Sequence, residues 1–405
     1  MISKIAILSL TFALLAVDQQ ADIKAMRNNA HDFVPQDTAA ALTLFLCGDV
    51  MTGRGIDQVL QHSVDPEIHE SYVKDARDYV RLAERKNGTI PKQVSYDYIW
   101  GDALEVWRRE SPGLKIINLE TSITNHNTPW PGKVVQYRMH PANVPVLTAA
   151  GVDFCSLANN HTLDWGRPGL AETIKTLSEA GVPFAGAGLN LNEARKPAIF
   201  KKRQGRIIVL AYGSQNSGIS PDWAAARDLP GINLLPDMGE STVKMVQQQV
   251  KEIKQQGDVV VFTVHWGSNW GYDVPPSHQY FACQLIDKAG VDLVHGHSSH
   301  HPMGMEVYKG KLIMYGAGDF INDYEGIGGH EMYRGDLTLM YFPNIDPVTG
   351  QLKSLKMVPM QVRKFKLNYA STSDTKWLQG TLNRECNKLG TSVKLNQDGS
   401  FFLSW

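Results

Sequence analysis

The stretch that decides the fold is ALTLFLCGDV, residues 41–50. Its apolar run, residues 41–47, stops at Gly48 and Asp49. A short continuous apolar run of this kind is typical of a buried strand, because a strand covered on both faces needs apolar side chains throughout. We therefore predict a buried strand whose carboxyl end presents the carboxylate of Asp49.

Four later apolar runs also lead into polar side chains. They are 114–119 before Glu120, 152–157 before Asn159, Asn160 and His161, 258–264 before His265, and 291–295 before His297. Helical patterns lie between the runs, at 142–150, 168–180, 239–256 and 277–289. Strands that alternate with helices in this way predict a layered α/β fold.

The composition limits the possible classes of protein. The 405 residues contain 40 Lys and Arg against 41 Asp and Glu. Nucleic-acid and anionic-membrane surfaces need an excess of positive charge, so this balance argues against both. The length allows two or three domains or one large domain. The cysteines form no C-x-x-C pair, which argues against a disulfide scaffold or a zinc ribbon; they are Cys47, Cys155, Cys283 and Cys386.

The N-terminus predicts a leader over residues 1–21. Lys4 precedes the apolar run 5–16, which suits a secretory signal peptide or an N-terminal anchor and is too short to span a bilayer comfortably. Leu14 is large for its place before a cleavage site at Ala16, so the small-residue cleavage pattern is missing. We expect a protein that is exported or anchored facing the periplasm or cell envelope, or a cytoplasmic one if the leader is not a signal.

Composition and residue pattern also predict the secondary structure of the remaining segments. Residues 65–110 are charged and aromatic and predict an inserted amphipathic helical region, either packed on the main body or acting as a lid. Residues 305–308, 311–315 and 335–342 are predicted as antiparallel strands, and the tail as further strands with a short helix. We expect one domain over 40–345 and a C-terminal extension, 346–405, that packs on it.

The side chains at the strand ends have the chemistry of metal ligands. In α/β sheets the carboxyl ends of strands meet at one edge, so these residues can converge. Carboxylate, amide and imidazole ligands without cysteine favour Mn, Fe or Zn. Two bridged ions, roughly 3.5–4 Å apart, need about as many ligands as this set offers. The set is Asp49, Glu120, Asn160, His161, His265, His297 and His300.

Each residue alone also has a structural explanation. The alternatives are a helix cap, a buried ion pair, a turn residue and a core histidine, for Asp49, Glu120, Asn160 and His265 respectively. Three imidazoles within five residues are harder to explain by packing, and these are His297, His300 and His301. The order and spacing of the set are therefore more specific than any single member.

Six motifs occur in the order 48-GDVMTGR-54, 118-NLE-120, 158-ANNHTLDWG-166, 265-HWG-267, 296-GHSSH-300 and 315-YGAGDFI-321. Together they resemble the CapA-type family of capsule and poly-γ-glutamate synthesis proteins, within the calcineurin-like metallophosphoesterase superfamily. The resemblance covers about residues 42–345. It implies a four-layer metallophosphatase sandwich, in which two mixed β-sheets pack face to face with helices outside.

The resemblance implies roles for the strand-end residues. Asp49 would bind the first of two divalent ions and Glu120 would bridge them. Asn160 and His265 would bind the second ion, and the remaining ligands would be His297 and His300. These assignments give a site of two ions, Mn, Fe or Zn.

Three further residues receive catalytic roles from the resemblance. His161 would be an acid that protonates the leaving group, or a neutral hydrogen-bonding group, and Asp164 would orient it. Arg54 would meet an anionic group of the substrate, with a surface ion pair as its alternative. A second polar cluster is left open as part of the site, and it comprises Asp319, Asn322 and Asp323.

Departures from the wider superfamily bear on activity. The usual D-x-H motif is Asp49-Val50-Met51 here, so the first ion loses an imidazole, and NLE at 118–120 replaces the usual GDxxDRG. The final G-H-x-H carries an extra residue, which leaves His300 and His301 as alternative ligands. A first ion with fewer ligands binds more weakly, which puts phosphoesterase activity in doubt.

Two hypotheses of function follow. The first is a metal-dependent hydrolase or transferase that acts on a phosphoester or a glutamyl amide of an anionic extracellular polymer, without a nucleic-acid partner. The second is a non-catalytic accessory subunit of a membrane polymer-synthesis complex that binds the polymer. Four basic residues flank the motifs and could line the cleft; they are Arg54, Lys133, Arg138 and Arg167. Residues 129–138 could form a wall of the cleft or simply pack against the domain.

Overall fold

Two mixed β-sheets and the helices that cover them make up the fold of residues 41–203 and 205–405, which the computed structural model describes. The predicted α/β class with two mixed sheets is confirmed. The strands are β1 Leu42–Val50, β2 Leu114–Leu119, β3 Ser122–Ile123, β4 Arg138–Met139, β5 Phe154–Ser156, β6 Phe184–Ala185, β7 Ala187–Gly188, β8 Ala198–Lys202, β9 Gly205–Gly213, β10 Gly231–Ile232, β11 Val259–His265, β12 Leu293–His297, β13 Met305–Tyr308, β14 Lys311–Met314, β15 Asp319–Ile321, β16 Leu337–Ile345, β17 Leu352–Val362, β18 Leu367–Tyr369, β19 Ser392–Leu395 and β20 Phe401–Ser404.

The α-helices pack around these sheets and on their loops. They are α1 Arg54–Asp57, α2 Arg77–Asn87, α3 Ala103–Glu110, α4 Pro145–Ala149, α5 Gly166–Glu179, α6 Leu191–Arg195, α7 Glu240–Ile253, α8 Pro276–Asp287 and α9 Thr372–Asn387. The helices predicted at 168–180, 239–256 and 277–289 correspond to α5, α7 and α8, within a few residues at each end.

β1 lies in the interior of the larger, ten-stranded sheet. The main strand order of this sheet is β19-β20-β17-β16-β1-β2-β5-β6, with β15 paired to β1 and β18 paired to β17. β1 runs parallel to β2 and β15 and antiparallel to β16. The six-stranded sheet has the order β13-β14-β12-β11-β9-β8. Every residue of β1 except Thr43 is buried, as the apolar run at 41–47 predicts.

Alternation along the strands of the smaller sheet explains the layers. Ile207, Val209 and Val261 belong to the core that this sheet shares with the larger sheet. Their neighbours Ile208 and Val260 point the other way, into a second core with α7 and α8. Because successive side chains of a strand lie on opposite faces, one face of this sheet meets the larger sheet and the other meets helices. His295 also joins the sheets, since its Nε2 lies 2.8 Å from the carbonyl oxygen of Cys47.

Several local predictions differ from the structure. β9, a central strand of the smaller sheet, is absent from the predicted strands, because its apolar run ends at Gly213 and not at a ligand-type side chain. In the insertion, helix is found at α2 and α3 and in one short turn, whereas Tyr72 lies in a bend. The prediction of three antiparallel strands after residue 304 is wrong only in part. β13 and β14 pair antiparallel, but β14 also runs parallel to β12. β16 is antiparallel to both of its neighbours, β1 and β17, in the larger sheet, as predicted.

The last 60 residues continue the larger sheet. β17 pairs antiparallel with β16 along most of its length, and β20 pairs antiparallel with β17. The predicted short helix of this tail is a 16-residue helix, α9, which begins after Ser371, whose side chain caps it through the amide of Asp374. Among the described residues no helix is long and apolar enough to cross a membrane. The predicted leader, 1–21, lies outside the described residues.

Gly48 allows β1 to approach β15 closely. A Cβ atom built on Gly48 would lie 1.5 Å from the carbonyl oxygen of Gly318. The amide of Asp49 donates to that same carbonyl at 2.9 Å, which sets Asp49 opposite Asp319 in the β1–β15 register. Any side chain at residue 48 must therefore push the two strands apart.

We predict that Gly48→Ala destabilises the protein by roughly 1–3 kcal/mol or more, because the added methyl meets backbone and not a movable side chain. The measurement is the midpoint of urea unfolding. Gly380→Ala is the matched control, since Gly380 lies inside α9 with nothing within 4 Å of its Cβ position. This control should be neutral or stabilising. Equal midpoints for the two variants would contradict the close approach.

Candidate metal centre

The carboxyl ends of four strands meet at one edge of the two sheets. β1 and β2, which are parallel, bring Asp49 and Glu120 from the larger sheet. β11 and β12, also parallel, end at His265 and His297 in the smaller sheet. All four side chains are buried. Residues that lie far apart in the sequence are thus neighbours, as strand ends of α/β sheets are.

Two groups of potential metal ligands share Asp49. The first group is Asp49, His265 and His297, and the second is Asp49, His300 and Asp319. In each group one ligand atom per residue lies within 4.8 Å of the others. Asp319 is only an undecided member of the site from the sequence. The pair Gly318-Asp319 nevertheless repeats the Gly48-Asp49 pattern after an apolar run, and this repeat is the signal that indicates a ligand.

The carboxylate of Asp49 is buried and only partly satisfied. Its Oδ1 accepts a hydrogen bond from Asn118 Nδ2 at 2.7 Å, whereas Oδ2 makes no hydrogen bond of ordinary geometry. Burial, followed by the nearby charge of Asp319, raises the pKa of Asp49 to about 8. Burying an oxygen without a hydrogen-bond donor costs free energy, so Oδ2 is suited to bind a cation.

Asn118 connects the carboxylates of Asp49 and Glu120. Its Nδ2 donates to both, at 2.7 Å to Asp49 Oδ1 and 2.5 Å to Glu120 Oε2. Its own Oδ1 accepts from Asn159 Nδ2 at 3.0 Å, which fixes the orientation of the amide. Burial and the charge of Asp49 raise the pKa of Glu120. Asn118 belongs to the 118–120 motif, but the sequence alone does not indicate that it joins the two carboxylates.

His265 lies between side chains of the larger sheet, Glu120 and Asn160, and His297 of the smaller sheet. Its Nε2 is 3.1 Å from Asn160 Oδ1 and 3.5 Å from Glu120 Oε1, and its Nδ1 is 2.8 Å from His297 Nδ1. His297 also contacts Thr263 Oγ1, at 3.0 Å from Nε2. Burial holds the pKa of both imidazoles well below its usual range, so both rings are neutral and able to act as ligands.

His300 and His301 lie in different surroundings. His300 Nδ1 is 2.9 Å from Asp319 Oδ1, and although burial lowers its pKa, the Asp319 carboxylate outweighs this and raises it. His301 packs among aromatic rings, with ring centroids 4.4 Å from Tyr272 and 4.7 Å from Tyr333. Of the two alternatives, the structure therefore brings His300 to the candidate centre and leaves His301 outside both ligand groups.

His161 and Asp164 form a buried pair at the same cleft. His161 Nδ1 lies 2.6 Å from Asp164 Oδ2, and its Nε2 is 4.0 Å from Glu120 Oε1. Tyr137 stacks on the imidazole at 3.8 Å between ring centroids. Lys133 Nζ is 3.1 Å from Asp164 Oδ1. Asp164 thus fixes the orientation of the His161 ring, and Nε2 is the nitrogen that faces the centre.

Arg54 is a buried cation with two carboxylate partners. Its guanidinium bonds Asp323 through two nitrogens and Glu70 at 3.1 Å, and it lies 3.7 Å from the ring centroid of Tyr79. Arg54 does form ion pairs, as the alternative predicted, but they are buried and do not lie at the surface, since both carboxylate partners are also buried. Arg54 lines the cleft, but most of its charge is already balanced.

A cleft of about 490 Å³ opens onto these side chains. The 129–138 segment forms one wall, with Gly132–Val135 and Tyr137 in its lining. Of the four flanking basic residues only Arg54 and Lys133 line the cleft, so the four do not converge. Arg138 instead bonds Asn127 and backbone carbonyls under the ring of Trp165, and Arg167 bonds the carbonyls of Asp222 and Pro230.

We predict that Arg54→Met destabilises the protein by about 3–5 kcal/mol, because it leaves the Asp323 and Glu70 carboxylates buried without their cation. The measurement is the midpoint of urea unfolding. Arg77→Met is the control, since the Arg77–Asp75 pair lies at the surface and should leave the midpoint unchanged. A small effect of both substitutions would show that the Arg54 network is not a structural support.

The family described as "Bacterial capsule synthesis protein PGA_cap" matches residues 43–324. A Mycobacterium tuberculosis protein named "Probable polyglutamine synthesis accessory protein" is 46% identical over 359 residues, which cover 88% of this chain and 94% of that protein.

Two Bacillus proteins are also similar. The Bacillus subtilis "PGA biosynthesis protein CapA" is 30% identical over 283 residues, 70% of this chain and 63% of that protein. The Bacillus anthracis "Capsule biosynthesis protein CapA" is 26% identical over 317 residues, 78% of this chain and 68% of that protein. The family match spans more than half of the chain and includes every residue of both ligand groups. This chain therefore belongs to the PGA_cap family of bacterial capsule synthesis proteins.

Proposed function

We propose that this protein is a metal-dependent hydrolase that acts on an anionic polymer of capsule or poly-glutamate synthesis. The observation that carries the proposal is the sharing of Asp49 by two buried ligand groups, each of which has one member, His265 or His300, in the lining of the same cleft. The names of the similar proteins, which refer to polyglutamine synthesis, PGA biosynthesis and capsule biosynthesis, support the polymer as substrate.

The residues fit divalent ions. Asp49, Glu120 and Asp319 are buried carboxylates close together, and such a cluster is stable in its ionised form only with a nearby cation. Of the basic side chains that line the cleft, Arg54 pairs with Asp323, Lys133 pairs with Asp164, and His300 pairs with Asp319 alone of the three carboxylates. Carboxylate and imidazole donors without a thiolate favour Mn, Fe or Zn.

We assign one ion to each group. Asp49, His265 and His297 would hold one ion, and Asp49, His300 and Asp319 would hold the other, with Asp49 common to both. Glu120 and Asn160 would complete the first ion's ligands, because both lie near His265. In this assignment Asp49 takes the shared position that the family resemblance gives to Glu120.

The chain's own groups complete the chemistry. A bound divalent ion supplies Lewis acidity to water and to the ester or amide bond that is cleaved. Burial lowers the pKa of His161, so its Nε2 would first accept the proton released by the attacking water and then pass it to the leaving group, while Asp164 holds Nδ1. Lys133 lies beside this pair, and Tyr137 covers the imidazole face and excludes water from it. The apolar run 5–16 supports an activity that takes place outside the cytoplasm.

A second candidate function is an accessory subunit that binds the polymer without cleaving it. The buried side chain of Met51 stands two residues after Asp49, where the D-x-H motif of the wider superfamily has a histidine. One similar protein is also named as an accessory protein. Polymer binding by the metal-free chain, without turnover when metal is added, would favour this candidate.

We predict that the metal-loaded chain holds about two ions, and that single substitutions remove them in a fixed pattern. Asp49→Asn should leave about none, because the residue is common to both groups. His265→Gln and His300→Gln should each leave about one. The measurement is elemental analysis after exposure to Mn, Zn or Fe and removal of free ions.

His301→Gln is the matched control for His300→Gln, since the two residues are adjacent but only His300 belongs to a ligand group. The control should keep about two ions. Metal content that is equal in all four variants would contradict the shared centre. A wild-type chain that binds no metal under these conditions would reject the hydrolase and leave the accessory function.

We predict that Asp164→Asn lowers kcat by roughly 10²-fold with little change in KM, because it removes the group that orients His161. The assay is turnover of a phosphodiester and of a γ-linked glutamyl polymer by the metal-loaded chain. Metal content should stay at the wild-type value, since neither residue is in a ligand group. Asp222→Asn, an exposed carboxylate outside the cleft lining, is the control and should leave kcat unchanged. Loss of metal from Asp164→Asn would show a structural role instead.

A further inference from the structure

A second cavity of about 350 Å³ lies beside the cleft of the candidate centre. The two cavities share three lining residues, Trp270, Tyr324 and Ile327. Ile327 is 44% exposed although it is a large apolar side chain. The shared residues form a common border, so an elongated molecule that crosses this border would reach both cavities.

Two charged side chains that line the second cavity have partners within the protein. Arg334 bonds Asp336 at 2.8 Å and Asp374 at 2.8 Å. Glu325 accepts hydrogen bonds from the amides of Lys364 and Phe365, at 2.8 Å and 2.6 Å. Lys86 and Glu331, which are of opposite charge, also line this cavity at its exposed side. Cations and carboxylates thus lie together in this lining, which sets this cavity apart from the carboxylate and imidazole cluster of the metal centre.

The uncharged surface of the second cavity is aromatic and aliphatic. The indole of Trp270 stacks on His330 with ring centroids 4.0 Å apart, and Val362 and Ile327 add aliphatic surface. Asn322 lies in the same lining, but its amide already donates to Asp319 and accepts from the backbone of Tyr324. The aromatic and aliphatic surface takes methylene groups by apolar contact and a neutral amide by stacking.

We propose that the second cavity is a subsite for an extended polyamide chain, and that it holds a unit beyond the two units that flank the bond at the metal centre. This inference rests on the proposed function and adds the form of its substrate, a chain bound over at least three units. The methylene and amide groups of the unit contact Trp270 and its neighbours. The carboxylate of the unit faces the open, exposed rim near Lys86 and His330.

The test is equilibrium binding by calorimetry, with the metal-loaded chain carrying Asp164→Asn to slow turnover, and γ-linked glutamate oligomers of two and of ten units. Gly335→Leu is the blocking variant. Gly335 lines the second cavity and not the cleft, and a Cβ atom there would make ordinary contacts, at 3.5 Å from the carbonyl oxygen of His300 and 3.6 Å from Cη2 of Trp270. A longer oligomer offers more registers by chance, so the informative quantity is the change caused by the variant. Gly335→Leu should weaken the ten-unit oligomer about tenfold or more and leave the two-unit oligomer and the metal content unchanged.

His330→Ala gives a second, independent variant in case Gly335→Leu folds poorly, and it should weaken the ten-unit oligomer in the same selective way. Gly380→Leu, at a glycine with open space around it, is the matched control and should change neither affinity. If both cavity variants change the two oligomers equally, or change neither, the subsite is rejected while metal content and turnover still support the proposed function.

Two further outcomes overturn the inference. Binding of neither oligomer by the wild-type chain would reject the polyamide substrate, and the hydrolase would then be judged by phosphodiester turnover alone. Tight binding of bis(p-nitrophenyl) phosphate that Gly335→Leu abolishes, without such an effect on the ten-unit oligomer, would show that the cavity takes an aryl group instead.

Discussion

The backbone contact between β1 and β15 at Gly48 is the constraint on which the candidate centre depends. The absence of a side chain at Gly48 lets the Gly318 carbonyl reach the amide of Asp49, at 2.9 Å. The register that results places Asp49 opposite Asp319. The facing sheet then brings His297 to the same carboxylate, 3.9 Å from Nδ1 to Oδ1. A shift of one residue in this register would turn the Asp49 side chain away.

Burial of several carboxylates gives the centre its chemical character. Asp49 and Glu120 have raised pKa values because burial disfavours their charged forms and each lies near another carboxylate. Asn118 joins them through one amide nitrogen, which satisfies part of each carboxylate without adding a positive charge. Arg54 and Lys133 balance other acids, and His300 pairs with Asp319. Divalent ions at this edge would therefore stabilise the ionised forms of Asp49 and Glu120, which burial disfavours.

Much of this arrangement could be predicted from the sequence, because buried strands and their polar ends are local patterns. The strands that end near Asp49, Glu120, His265 and His297 follow from apolar runs alone. The choice between His300 and His301 could not be made in this way, since it depends on a turn in which Ser298 adopts a φ of 104°. One carboxylate partner of Arg54, Asp323, lies 269 residues away along the sequence, and no local pattern indicates such a contact. β9 was missed because its end carries no ligand-type residue.

The central claim is that Asp49 is common to two metal sites. Anomalous diffraction from crystals of the full chain grown with Mn²⁺ tests it most directly. The account predicts two anomalous peaks that both contact the Asp49 carboxylate, one beside His265 and His297 and one beside His300 and Asp319. A single peak that does not contact Asp49, or no peak at this edge of the sheets, would contradict it.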